Sequence, residues 1–394
     1  MVRVSDVDSD NYLGRLTDND KSRFKSQYRD NRENIDDEDI LDLLESEYRS
    51  NILPTQNVFE AIKNAFHSDN PDGFRTEYEL SFTNPLFEIE ENPADILLTE
   101  SNHRSVNLCF VVCEPSGEDY VSWPNRIGEV NDIVVGHKGH ILDQLGVDGK
   151  DINHIQYVTA VRKRDCRDIE FEYLRKAGPT GQGTGYALWS VDDDFAGEDS
   201  KTQSDGGSSS DPPVQLTVEG GNIIHSKLQG PVEDGINYLQ TKYKEVSIAL
   251  SSPEIVGLQE TLMNLITQQY GSSDHPREFD RSDFQEQYVD LCEVGPSGDK
   301  KQTLLKDKAN DLLELAKDSD VLYHGDHNRI NGSNDFRVRY QGSVTEGLKS
   351  TVKSKVLKSK IPHKKAEMAY ENTRNTFTPK DSVQAKAEDI DGSK

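Results

Sequence analysis

Apolar positions along the chain follow two periods, and the places where one gives way to the other mark its elements. Over 37–49, Ile40, Leu41, Leu43, Leu44 and Tyr48 recur near 3.6 residues, and Asp36 or Asp37 is placed to cap the exposed amides, so a helix is expected. A second helix is expected over 57–67, where Val58, Phe59, Ile62 and Phe66 share a side. After the turn residues Asn70-Pro71-Asp72-Gly73, strands are expected over 74–82 and 86–89, and another over 95–99. Residues 106–113 are almost continuously apolar, the pattern of a central strand covered on both faces. Ser122 and Trp123-Pro124 open a helix to Leu145, weakened at Gly136 and Gly139. A strand over 154–161, a helix over 165–176 and a strand over 186–191 complete the series. This alternation predicts an α/β domain over 36–191 with a mixed sheet flanked by helices.

Residues 192–213 break the pattern. Three consecutive aspartates, Gly206-Gly207-Ser208-Ser209-Ser210 and Pro212-Pro213 offer too little apolar surface to hold a fold, so a disordered linker is expected. Beyond it, 214–224 reads as a small hairpin around Gly220-Gly221, and 231–249, 253–270, 282–293 and 304–317 read as helices. Residues 321–340 read as strand, turn and strand. The expected organisation is a flexible leader (1–35), the α/β domain, the linker, a mainly helical domain with a hairpin (214–345), and a basic tail (346–394) with a disordered end.

Composition changes the picture in one respect. The net charge is −26, with 71 acids against 45 bases, while 33% of the 394 residues are hydrophobic. Regular apolar segments argue against a wholly disordered chain, so the acid excess reads as the surface of a protein adapted to concentrated salt. Screening by such salt keeps nucleic acid among the conceivable partners. No apolar run is long enough to cross a bilayer and no signal-peptide core is evident, so a cytoplasmic protein that makes no membrane contact is expected. Four cysteines without a CxxC pair speak against a disulfide framework or zinc finger, and Cys109 and Cys113 share one strand face.

Two carboxylates carry the candidate chemistry. Asp95 begins one expected strand and Glu114 ends the next, so pairing of those strands would bring them together, where Mg²⁺ could activate water beside a phosphate. A helix, a strand bearing Pro93-Ala94-Asp95, a strand ending in an acidic motif, Glu114-Pro115-Ser116, a helix and a further strand form an order that resembles the PD-(D/E)XK nuclease superfamily over about 37–191. The resemblance implies a restriction-endonuclease-like fold and a Mg²⁺-dependent DNA endonuclease with Asp95 and Glu114 as metal ligands. Two departures stand: one residue is inserted in the first half-motif, and Ser116 occupies the usual lysine place. Either Val112 and Glu114 fill the paired positions, or Lys138, His137 or His140 supplies the positive group from the following helix, with Lys138 taken as the charge-stabilising residue. Glu45 or Glu60 could add a ligand. Each acid alone also reads as an ordinary strand-end residue on an acid-rich surface. The stretch from Gly178 to Gly185 lacks the ending of a phosphate loop and precedes a strand, so it reads as a connection.

The second half offers binding. Helices followed by a hairpin follow the order of a winged helix, with Arg329, Arg337 and Arg339 on the wing to contact DNA. Lys349, Lys353, Lys355, Lys358, Lys360, Lys364 and Lys365 form an acid-free block suited to a phosphate backbone or an acidic partner. DNA is thus the expected partner, and a homodimer is compatible. Two alternatives remain open: a catalytically inactive nuclease-fold protein that binds DNA or protein, and a viral or assembly component.

Overall fold

A computed structural model describes residues 4–8, 11–67, 76–86, 94–114, 120–147, 149–166, 178–179, 183–192, 214–238, 248–250, 252–270, 277–292, 299–324, 336–338, 340 and 344–379. In chain order the elements are α1 (Asp18–Glu33), α2 (Asp37–Glu47), α3 (Leu53–Ala65), β1 (Glu79–Thr83), β2 (Ile96–Ser101), β3 (Ser105–Cys113), α4 (Trp123–Gly136), α5 (Lys138–Gln144), β4 (Asp151–Arg162), β5 (Thr184–Val191), β6 (Val214–Gly221), α6 (Ser226–Glu233), β7 (Ile236–Tyr238), α7 (Glu254–Tyr270), β8 (Arg277–Phe279), α8 (Arg281–Cys292), α9 (Asp299–Asp318), β9 (Leu322–His324), β10 (Phe336–Val338) and α10 (Val344–Thr376).

Strands β1 to β7 form one mixed sheet in sequence order. The β1–β2 and β2–β3 pairs are antiparallel, β3–β4 and β4–β5 parallel, and β5–β6 and β6–β7 antiparallel. Both faces of its centre are covered, which is why residues 106–113 need no polar alternation. Leu98, Cys109, Val111, Val158 and Trp189 pack against α3 and α6. Leu97, Leu108, Phe110, Tyr157 and Leu188 pack against α4 and α5. Cys109 and Cys113 lie buried on the same face, the α3 side. The long helix expected after Ser122 is broken where the glycines fall: His137, between Gly136 and Lys138, leaves the helical region (φ −126°, ψ 25°).

A second core gathers α7, α8, α9, the first half of α10 and the small sheet β8–β10–β9. Helix α2 belongs to this core and not to the sheet: Ile40, Leu44 and Tyr48 pack with Ile255, Leu258 and Leu357. A π-helical turn at Tyr48–Ile52 carries the chain from one body to the other. The expected leader contains α1, held by Phe24 and Tyr28 against Ala366, Ala369, Tyr370 and Phe377. The expected basic tail is largely the 33-residue helix α10. Its polar face concealed a narrow stripe of Leu348, Val352, Val356, Ala366 and Ala369, which becomes a core only when α1, α2 and α7 cover it.

Two smaller expectations also change. Residues 214–221 form one strand rather than a hairpin, because Gly221 takes a positive φ (+96°) and turns the chain away instead of back. The segment expected as helix from 231 onward ends α6 at Glu233 and enters β7, which pairs with β6 through Leu216 and Ile236. The linker expected over 192–213 and the helix expected over 165–176 lie almost wholly outside the described residues. Among the described residues, no helix is long and apolar enough to cross a membrane.

Candidate functional site

Antiparallel pairing of β2 with β3 aligns Ile96 with Val111, so the residue before β2 and the residue after β3 fall at the same end of the sheet. The backbone fixes both acids there: the Asp95 amide donates to the Val111 carbonyl at 2.9 Å and the Glu114 amide to the Ala160 carbonyl at 2.9 Å. Asp95 is fully buried, and its Oδ2 accepts from the Cys113 backbone amide at 2.7 Å. Glu114 is 9% exposed.

The cation at this site is Arg126. Trp123 and Pro124 start α4, and Ile127, Val130 and Val134 bury its stripe on the sheet. That anchoring turns Arg126 toward the two acids. Its Nη1 donates to Glu114 Oε1 at 2.8 Å, and its Nη2 lies 4.0 Å from Asp95 Oδ2. Burial alone would lower the guanidinium, but the Asp95 and Glu114 charges outweigh it and hold Arg126 above its ordinary value. Burial also pushes the neighbouring Cys113 thiol well up, and Asp95 adds to the effect, so it is an inert thiol.

Asp95 and Glu114 therefore meet, while Lys138 stands elsewhere. From Arg126 to the end of α4 at Gly136 is about 15 Å at the usual helical rise, and Lys138 lies beyond that end, exposed with His137 and His140. Glu45 pairs with Arg49 at 3.4 Å on α2, and Glu60 accepts from Gln56 at 3.1 Å on α3. Ser116 lies outside the described residues. Mg²⁺ asks for about six oxygen donors in near-octahedral array. Two carboxylates already facing one guanidinium, one of them also bound to a backbone amide, do not fit that ion. Among the described residues no group of three or more His, Cys, Asp or Glu side chains could hold a metal. Arg126 had one signal in the sequence, a cation beside a Pro-started helix soon after Glu114.

The opposite end of the β2–β3 pair carries a polar cluster that sequence reading missed. Asn107 donates to Glu100 at 2.5 Å and its carbonyl lies 3.0 Å from His154 Nδ1. His225, before α6, contacts the Tyr78 hydroxyl at 3.1 Å, and its ring lies 5.4 Å from that of His154. Lys227 donates to Glu100 at 2.8 Å and also reaches Glu77. Burial acts to raise the Glu100 carboxyl, yet the Lys227 and Asn107 hydrogen bonds hold it below its ordinary value. The result is a paired seal over the sheet end, brought together from positions as far apart as Tyr78 and Lys227.

The lysine block is mostly committed inside the molecule. Lys349 pairs with Glu260 at 2.5 Å, Lys360 with Glu254 at 3.5 Å, Lys364 with Glu47 at 2.9 Å and Lys365 with Asp37 at 2.7 Å. Lys355 donates to the Asp320 carbonyl and to the Tyr323 hydroxyl at 2.6 Å, and the Lys353 ammonium lies 5.7 Å from the centre of the Tyr48 ring. Among the described residues, Lys358 is the one of the seven left exposed without such a contact. Arg337 is half-buried on β10, the central strand of the small sheet. Arg329 and Arg339 lie outside the described residues, as does the bend between β9 and β10.

Compared with known proteins, the chain matches no family model, no curated protein and no solved structure.

Proposed function

We propose that this chain is a non-hydrolytic interaction protein of the cytoplasm of a salt-adapted cell, built on a nuclease-like α/β core. The order α3–β1–β2–β3–α4–β4, with three antiparallel strands and a fourth parallel to the third, supports the likeness to the PD-(D/E)XK arrangement. The observation that carries the loss of hydrolysis is Arg126. Its guanidinium faces both Asp95 and Glu114, so their charge is spent on cohesion of the sheet end instead of on a divalent ion. The partner is a protein before it is DNA. The lysines that would neutralise phosphates are largely neutralised by Glu47, Asp37, Glu254 and Glu260, which leaves few cations to displace phosphate counter-ions.

The test is incubation of the full chain with supercoiled and single-stranded DNA, with and without Mg²⁺, in dilute and in molar KCl. No cleavage and no Mg²⁺-dependent rise in melting temperature are expected. Metal-dependent nicking that Asp95→Asn abolishes would overturn the non-hydrolytic reading. Tight, salt-sensitive DNA retention without nicking would leave that reading intact and move the partner to nucleic acid.

A further inference from the structure

A cavity of about 560 Å³ opens between α1 and α10. Tyr28 of α1 and Ile361 and Pro362 of α10 supply its apolar wall, and Lys25, Arg29 and Arg32 line it from α1. Positions 25, 28, 29 and 32 follow the spacing that puts residues on one helical stripe, so α1 presents a single aromatic and cationic face to the space. Pro362 has no N–H to continue the helical ladder, and the cavity lies beside that interruption.

The charges here are unusual for this chain. Lys365 and Asp37, both in the lining, neutralise one another at 2.7 Å. Glu33 also lines the cavity, but among the described residues neither it nor Lys25 or Arg29 makes an ion pair. Lys25 and Arg29 thus stand exposed, one turn apart and without a carboxylate partner among the described residues, where acids outnumber bases 71 to 45. Like charges at that spacing weaken a helix, so helix stability gives no reason for the pair. Burial pushes the Tyr28 hydroxyl up, and the Arg32 charge acts in the opposite direction.

We propose that this cavity binds a small amphipathic anion, an aromatic or aliphatic body carrying a carboxylate or phosphate head. The body lies against Tyr28, Ile361 and Pro362, and the head meets Lys25 and Arg29. Guanidinium offers two parallel donors to either kind of head group. The volume falls within the roughly 300–1,000 Å³ of small-molecule sites, and an apolar wall with a few convergent polar groups is their usual chemistry. This site does not depend on the non-hydrolytic reading of the sheet.

The probe is anilinonaphthalene sulfonate, titrated by fluorescence into the full chain, with uncharged phenylnaphthylamine as its control. Saturable one-to-one binding is expected, weakened about tenfold or more in the double variant Lys25→Glu with Arg29→Glu. Lys138→Glu, an exposed cation on another element, should leave it unchanged. Should the double reversal disturb α1 by circular dichroism, Arg29→Gln replaces it, with a smaller weakening expected. Displacement by decanoate identifies a carboxylate head and displacement by naphthyl phosphate a phosphate head. The proposal fails if binding is not saturable, if the charge variants bind as well as the parent, if the uncharged dye binds equally tightly, or if neither competitor displaces the probe.

Discussion

Replacing Arg126 with methionine keeps most of the side-chain length and removes the charge that faces Asp95 and Glu114. Asp95 is fully buried and Glu114 is 9% exposed, so neither carboxylate gains much water in exchange. Breaking a buried ion pair from one side costs about 3–5 kcal/mol. The Arg126 side chain is itself 31% exposed, and solvent already carries part of its charge, which brings the expected loss to about 2–3 kcal/mol. Urea unfolding followed by tryptophan fluorescence measures it directly. The two tryptophans, Trp123 and Trp189, pack on opposite faces of the sheet, so both report on this body. The midpoint should fall while the slope stays constant. Asp95→Asn in the same background should cost less than it does alone, because its charge has already lost that cation, with a coupling of about 1–2 kcal/mol. A loss below about 1 kcal/mol, or strict additivity of the two substitutions, would refute the view that Arg126 holds this end of the sheet together.

Other consequences are open to the same kind of measurement. Lys349→Met, which strips the cation from the buried Glu260, is expected to cost about 1 kcal/mol, while Lys358→Met should stay within about 0.5 kcal/mol. Equal effects in urea melts would contradict the assignment of the lysines to internal pairing. Burial lowers His225; Glu100 and Glu77 oppose it, and His154 and Lys227 add to it. The folded chain therefore takes up this proton less readily than the unfolded one. The associated stability is complete above the unfolded value of about 6.5 and is lost as pH falls through the lower folded value. His225→Asn should flatten the decline in melting temperature on acidification from about pH 7 to 5; an unchanged profile would discount His225. Gly221→Ala places a Cβ on a residue at φ +96°, against the Tyr186 carbonyl and the backbone of Ala187. A destabilisation of roughly 1–3 kcal/mol is expected, and a neutral result in thermal melts would show that the β5–β6 junction yields easily.

Local pattern accounts for much of what is seen, and the reasons are local. Val106 to Cys113 is a buried central strand because its residues, Asn107 apart, are apolar on both sides of the pleat. Helix α4 starts at Trp123-Pro124 and ends at Gly136 because proline tolerates a first turn and glycine weakens an interior. The meeting of Asp95 and Glu114 also follows from the chain, since a strand beginning with one acid and an antiparallel neighbour ending with another must place both at one end.

Charge partners and domain membership needed the folded chain. The lysines from Lys349 to Lys365 look unpaired in one dimension because no acid interrupts them, yet Glu47, Asp37, Glu254 and Glu260 come from α2 and α7, across long stretches of chain. The apolar face of α2 is visible in sequence, whereas α1 falls in the expected leader, and which surface each covers is set by complementary stripes on α7 and α10. Arg126 is the sharpest case. A single cation among many becomes the counter-ion of a buried acid because α4 is anchored on the sheet by Ile127 and Val130, and because low polarity magnifies the charge it meets there. Sequence determined the elements and the end of the sheet where the acids lie; tertiary packing determined which charges are spent holding the molecule together, since that depends on distances between residues far apart in the chain.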